Sequence, residues 1–288
     1  PCCTSGHVTQ GRGGEPRDHG SPGHVTRGSP SASAGSGAPG RLPVSLELQP
    51  IELRELSDFP PAPVEALLRV HDAAYVAMVQ AAASKLQEGP PHSPVPFTPM
   101  VQQARGTATG ALKDPKACDT RLSAGSYAAA RRAAGSVLHA IDAVLRGDAR
   151  NALCIVRPPG HHAGVKGLIP GSVSCGFCVF NSVMIGASHA LHTGAASRVA
   201  VVDFDVHHGD GSEEIVRKLS GSLPPSALFF ASIHLYDPGD ASFHAFYPSS
   251  GGADAMHANI INVPVAPLWR RGAGGPKGGR GGGGGGGG

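Results

Sequence analysis

The sequence predicts an α/β protein built on a mostly parallel sheet covered by helices. Three observations carry that prediction. The runs at 199–202, 227–233 and 260–265 are short, apolar and rich in β-branched residues, with little polar alternation. That is the pattern of strands buried on both faces. Helical stretches lie between such runs, which favours βαβ units. Histidines and carboxylates gather just past the strand ends, where open α/β sheets place their chemistry.

The chain has 288 residues, 40% of them hydrophobic, enough for one large α/β domain or two small ones. The net charge of +3 lies largely in the tails, and no basic stripe interleaved with aromatics appears, so a nucleic-acid-binding role is not expected. No stretch approaches the length of a membrane-spanning helix, and no charged-then-apolar leader precedes the domain. The six cysteines form no regular framework, which fits a reducing compartment, and Cys2–Cys3 suggests no site. Residues 1–41 are rich in Gly, Ser and Pro and are expected to be disordered, as is the Gly-rich stretch 270–288; the folded domain is expected over 42–269.

In chain order, apolar residues at helical spacing predict one helix over 63–87, with His71 a structural histidine within it. The proline-rich start of 89–110 predicts a surface loop. A long helix is predicted over 124–147, with Ser123 as its N-cap and Gly147 as its stop. Residues 152–156 read as a buried strand, halted by Pro158, Pro159 and Gly160. A helix follows from Asn181 through His192, with His189 and His192 on its exposed side. Cys175 and Cys178 form a CxxC with apolar neighbours Phe177 and Phe180 and no second CxxC, so they read as core rather than as metal or redox residues. After the 199–202 strand come a helix over 212–219, the 227–233 strand, an aromatic loop over 243–252 and the 260–265 strand.

The chemistry concentrates in RVAVVDFDVHHGDG (198–211). Alternate residues of a strand share a face, so Asp203, Asp205 and His207 line one side. Two carboxylates and an imidazole at the end of a buried strand are unfavourable unless something offsets them. Asp oxygen and His nitrogen are ordinary Zn²⁺ ligands, and a divalent cation meets the need; the alternative is acids that cap the next helix. His161 and His162 stand together in the loop after the preceding strand, and imidazole titrates where a general acid or base should. Asp119 reads either as a turn residue or as an acid at a substrate rim.

Taken together, RPPGHHA (157–163), CGFCVFN (175–181), VVDFDVHHGDG (201–211) and SIHLYDPG with FYP (232–248) resemble the zinc-dependent histone deacetylase family, in order and in spacing. The RPPGHHA form looks like the class II branch. The resemblance implies an arginase/deacetylase-like three-layer α/β fold with a central, mostly parallel sheet. It implies a catalytic set of His161, His162, Asp203 and Asp210, the tandem histidines handling the proton and the two acids orienting them. It implies Zn²⁺ on Asp205 and His207, and a structural K⁺ on Asp203, Asp205, the His207 carbonyl and Ser232. Phe177 and Tyr247 would wall an acyl-lysine tunnel, and Asp119 would bind the substrate backbone at its rim.

The sequence departs from the family pattern in two places. The family's third zinc ligand, an Asp, and its oxyanion-stabilising Tyr have no counterpart with the right context before residue 288, and Tyr236 and Tyr247 lie too early to serve. The expectation is therefore a C-terminally truncated domain lacking later strands, with lysine deacetylase activity impaired in this chain. The alternatives are a non-catalytic module that binds acyl-lysine or a corepressor, and a deacetylase of acetylpolyamines or other small amides. An acetylated protein such as a histone tail, a corepressor complex, and a nuclear or cytoplasmic location follow from the resemblance alone.

Overall fold

The computed structural model describes residues 53–88, 93–240, 244–252 and 259–268. The contacts divide the chain at Asp58. Residues 53–58 have no helix or strand and are exposed. The expectations for 1–41 and 270–288 lie outside the described residues.

From Phe59 onward the order is α1 (Val64–Leu68), α2 (Ala73–Glu88), β1 (Val95–Pro96), α3 (Thr98–Ala104), β2 (Arg121–Leu122), α4 (Ser126–Arg146), α5 (Ser182–His192), β3 (Val199–Asp203), α6 (Asp210–Ser220), β4 (Leu228–Leu235) and β5 (Ile260–Val265). The sheet β3-β4-β5 is parallel throughout, and β1 and β2 form a separate antiparallel pair. Register places Asp203 opposite Ser232, and Ser232 opposite Asn262, so three polar residues line up across the carboxyl-terminal part of the sheet.

The expected α/β class and parallel sheet are therefore present. One face of the sheet supplies Val201, Phe230 and Ile260 to a core completed by Met184 and Ile185 of α5 and Ile215 and Val216 of α6. Helix α4 packs along α5. The expectation of strands buried on both faces fails: Val202, Ile233 and Val263 on the opposite face are 55%, 45% and 41% exposed. Among the described residues only one face is covered by helices.

Local corrections have local causes. The single helix expected over 63–87 is broken into α1 and α2, because Asp72 leaves the helix: its carboxylate accepts the Ala74 N–H and its own N–H donates to the Val165 carbonyl. His71 at the break is buried, as a structural histidine should be. The loop expected over 89–110 contains β1 and α3; Pro99 sits in the first turn of α3, where a missing N–H does no harm. The first helical turn of α4 follows Gly125 rather than Ser123, whose hydroxyl instead meets that of Ser126. Gly147 does end α4, at φ 83°. The 152–156 run joins neither sheet; it carries a lone bridge residue at Leu153, with Cys154 turned into a small cluster beside Val137 and Ile141 and with Leu153 and Ile155 exposed. Asn181 caps α5 as expected, accepting the Met184 N–H, and α6 starts two residues earlier than the expected 212.

Candidate active site

The histidine loop is clamped from two helices. Ser212 in the first turn of α6 donates its N–H to the His161 carbonyl at 2.9 Å. The Asn181 side chain donates to the Ala163 carbonyl and to the Ser212 hydroxyl. Contact is so close that a Cβ on Gly211 would lie 2.4 Å from the His162 carbonyl carbon, which explains a glycine there.

The clamp presents two His–Asp pairs. His161 Nδ1 lies 2.9 Å from Asp203 Oδ2, and His162 Nδ1 lies 2.8 Å from Asp210 Oδ1. Both rings are buried, with centroids 4.0 Å apart. A carboxylate only accepts hydrogen bonds, so each Nδ1 carries the proton and each Nε2 is left for chemistry. Burial depresses the His162 pKa below the ordinary value, the His161 charge depresses it further, and the Asp210 contact only partly restores it. Asp210 Oδ2 is buried without a hydrogen-bond partner.

Beyond β3 the chain folds back on its own acids: the Asp205 N–H donates to Asp203 Oδ1, and the His207 N–H donates to Asp205 Oδ1. This sets Asp205 Oδ1 3.3 Å from His207 Nδ1 and 3.8 Å from His161 Nε2. Two ligands bound at about 2.0 Å with a tetrahedral angle between them lie about 3.3 Å apart, so Asp205 and His207 fit one edge of a zinc site. Among the described residues no group of three or more His, Cys, Asp or Glu converges to hold a metal ion. The buried Ser232 stands opposite Asp203 in register, within the set expected to share a potassium ion.

Aromatic residues line the approach. Phe246 stacks on His207 at 5.2 Å and 9°, and Tyr247 meets His162 edge-on at 4.9 Å. The Tyr247 hydroxyl donates to the Ser174 carbonyl at 2.9 Å, and burial raises its pKa, so it stays a donor. Phe177, 44% exposed, sits at φ 65° with its N–H donating to Thr120 Oγ1. Asp119 is exposed, and its carboxylate accepts from Ser174 Oγ at 2.6 Å and from Thr120 Oγ1 at 3.1 Å. Ser174 thus ties the rim acid to the Tyr247 wall. Sequence reasoning missed Ser174, Phe246, the buried His208 and His234 behind His207, and the half-buried Glu213. His208 is visible inside the HHGDG run, but its partner Ser250 lies 42 residues away.

A parallel αβ sheet with a histidine-rich centre at its strand ends places this molecule in the arginase-like class of α/β folds. The family model described as the histone deacetylase domain matches residues 40–273, and the chain belongs to that family. Type-2 histone deacetylase 2 of Dictyostelium discoideum is 36% identical over 228 residues, covering 73% of this chain and 12% of that protein. Type-2 histone deacetylase 1 of the same organism is 45% identical over 134 residues, 46% of this chain and 8% of the relative. Polyamine deacetylase HDAC10 of Mus musculus is 43% identical over 131 residues, 46% of this chain and 17% of the relative. Among solved structures, that of the HDA15 HD domain matches with TM-score 0.53 and 27% identity, over 72% of this chain and 49% of that one. The matched stretch therefore spans less than a fifth of each of these three relatives and about half of the HDA15 domain.

Proposed function

We propose that this chain carries the proton-transfer and metal-binding face of a zinc-dependent lysine deacetylase, which hydrolyses N6-acetyl-lysine to lysine and acetate. The observation that carries the reading is the pair of buried His–Asp hydrogen bonds, 2.9 and 2.8 Å, set beside the Asp205–His207 edge. Asp205 and His207 would hold the zinc, which when bound polarises the amide carbonyl and acidifies a water. The chain's own residues handle the proton. Burial keeps His162 neutral at neutral pH, so its Nε2 accepts the proton of the attacking water. A protonated ring of the pair then returns a proton to the departing lysine nitrogen, with Asp203 and Asp210 holding each Nδ1 proton in place. Phe177 and Tyr247 would flank a slender, neutral acyl-lysine, and Asp119 would accept a backbone N–H of the acetylated protein. Asp203, Asp205, the His207 carbonyl and Ser232 would share a structural potassium ion.

The test measures zinc content and deacetylation of an acetyl-lysine peptide on the same purified chain. Bound zinc, with turnover abolished by His162→Ala, supports the reading. A chain that takes up no zinc and turns over no acetylated substrate refutes it. A second substrate class, acetylated polyamines, is favoured by the likeness to polyamine deacetylase HDAC10 and by the exposed Asp119 carboxylate, which suits a distal ammonium. A higher kcat/KM for an acetylpolyamine than for the peptide, reversed by Asp119→Ala, would select it.

A further inference from the structure

Behind His207 two more imidazoles, His208 and His234, are 3% and 2% exposed, with ring centroids 4.5 Å apart. The proton-transfer chemistry proposed above uses neither. Each spans from the sheet side of the site to the 244–252 loop. His208 Nε2 lies 3.0 Å from Glu213 Oε2, and its Nδ1 lies 2.8 Å from Ser250 Oγ. His234 Nε2 lies 3.2 Å from the Gly251 carbonyl, and its Nδ1 lies 3.0 Å from Ser232 Oγ.

The partners fix the tautomers. Burial alone would raise the Glu213 pKa, but hydrogen bonds from His208, Asn262 and Arg217 outweigh it and hold the carboxyl at about 2, so it is an ionised acceptor. The His208 Nε2 must therefore donate, and its Nδ1 meets the Ser250 hydroxyl. A carbonyl also only accepts, so His234 Nε2 donates to Gly251, while its Nδ1 meets the Ser232 hydroxyl. Both rings therefore carry a proton on Nε2, and each meets a serine hydroxyl at Nδ1.

We propose that His208 and His234 are positioning residues that pin the 244–252 loop, and through it seat Phe246 on His207 and Tyr247 against His162. The inference rests on the deacetylase reading for its consequence, but the pinning stands on its own geometry. Two of the loop's contacts to the sheet side end on these rings, at Ser250 and Gly251. The fit at Gly251 is tight: a Cβ there would lie 2.5 Å from His234 Nε2, at a backbone φ of +75°. The aromatic pair lies only three to five residues upstream of these anchors. Its stacking partner His207 is 30% exposed, and Phe246 lying flat against it helps to fix the plane of that imidazole.

The experiment uses the whole 288-residue chain. Long-range ¹H–¹⁵N spectra of its imidazoles report each tautomer, and hydrogen exchange read by mass spectrometry reports protection of the 244–252 segment. Both His208 and His234 are expected as Nε2–H rings. His234→Ala is expected to speed exchange of that segment by about tenfold, while His234→Gln, whose side-chain amide still reaches the Gly251 carbonyl, restores protection. Ser250→Ala, a half-buried change that spares the core, is expected to loosen the same segment and serves if His234→Ala fails to fold. An Nδ1–H tautomer at His234, or a segment whose exchange is unchanged in Ser250→Ala and in a folded His234→Ala, overturns the proposal. Zinc affinity measured on the same variants separates the two readings. Loosening with affinity weakened about tenfold, typical for groups that orient a ligand, supports both. Loosening in a chain whose parent binds no zinc leaves the pinning in place and removes the deacetylase reading.

Discussion

Between α1 and α2, His71 is the buried titratable group whose energetics are simplest to work through. Its Nδ1 lies 2.9 Å from the Gly164 carbonyl, and its Nε2 lies 3.0 Å from the Asn181 N–H. The ring therefore donates at Nδ1 and accepts at Nε2, and protonating it would set two donors face to face. Burial lowers its pKa from 6.5 to about 4, and the hydrogen bonds from the ring to the backbone only partly offset this. The sign follows. Below pH 6.5 the unfolded chain takes up a proton that the folded chain refuses until about pH 4, so stability is full above that window and falls through it. At about 1.4 kcal/mol per unit the loss is about 3 kcal/mol, a large share of an ordinary domain's stability. The assay is urea unfolding of the chain and of His71→Asn at pH 7.5 and pH 4.5. Asparagine keeps a donor toward Gly164 but leaves the Asn181 N–H unmet, so at pH 7.5 the variant should be weaker by about 1–3 kcal/mol. That gap should close or reverse at pH 4.5, because only the parent carries the buried ring. A gap of the same size at both pH values would refute the reasoning.

Other expectations follow from the same contacts. Gly211→Ala drives a methyl into the His162 backbone and should destabilise by about 3 kcal/mol or more, seen as a lower urea midpoint with an unchanged slope. Tyr75→Phe leaves the Val179 carbonyl without its donor and should lower stability by about 1–2 kcal/mol in thermal unfolding. On the proposed deacetylase reading, Asp203→Asn removes the acceptor that sets the His161 tautomer, and should cut turnover about 10–100-fold while leaving the circular dichroism spectrum unchanged. Phe204→Ser, on a side chain 67% exposed, should change stability by no more than about 0.5 kcal/mol while raising the concentration at which the chain aggregates, read by light scattering.

What the sequence makes legible here is what local periodicity and short-range chemistry encode. The apolar runs locate β3, β4 and β5 within a residue or two, and Asn181 announces its cap; strand alternation accounts for Asp203 alone, because β3 ends there and a bend, not a strand, brings Asp205 and His207 beside it. The tandem histidines emerge paired with Asp203 and Asp210, partners 42 and 48 residues away, because the family resemblance supplies the distance that periodicity cannot. Features decided by remote neighbours stay hidden. The 152–156 run has the composition of a strand but joins neither sheet, and composition does not report partners. Helix α3 hides behind Pro96 and Pro99, because a proline in a first turn looks the same as one in a loop. Asp72 interrupts a good helical pattern through a bond to Val165, 93 residues on, and Ser174 joins Asp119 to Tyr247 through contacts that no local rule encodes.

The bare face of the β3-β4-β5 sheet bears on the site at the strand ends. Asp203 and Ser232 belong to the same short strands whose other side carries the exposed Val202 and Ile233. Wetting that side weakens the ladder that sets their spacing. Drying it, whether by a packed polypeptide or by a hydrophobic additive, stiffens the strands and so favours the cation-ready arrangement of their termini. By thermodynamic reciprocity, a cation that held Asp203 and Ser232 in place would tighten the packing of any cover over Val202 and Ile233 by the same factor.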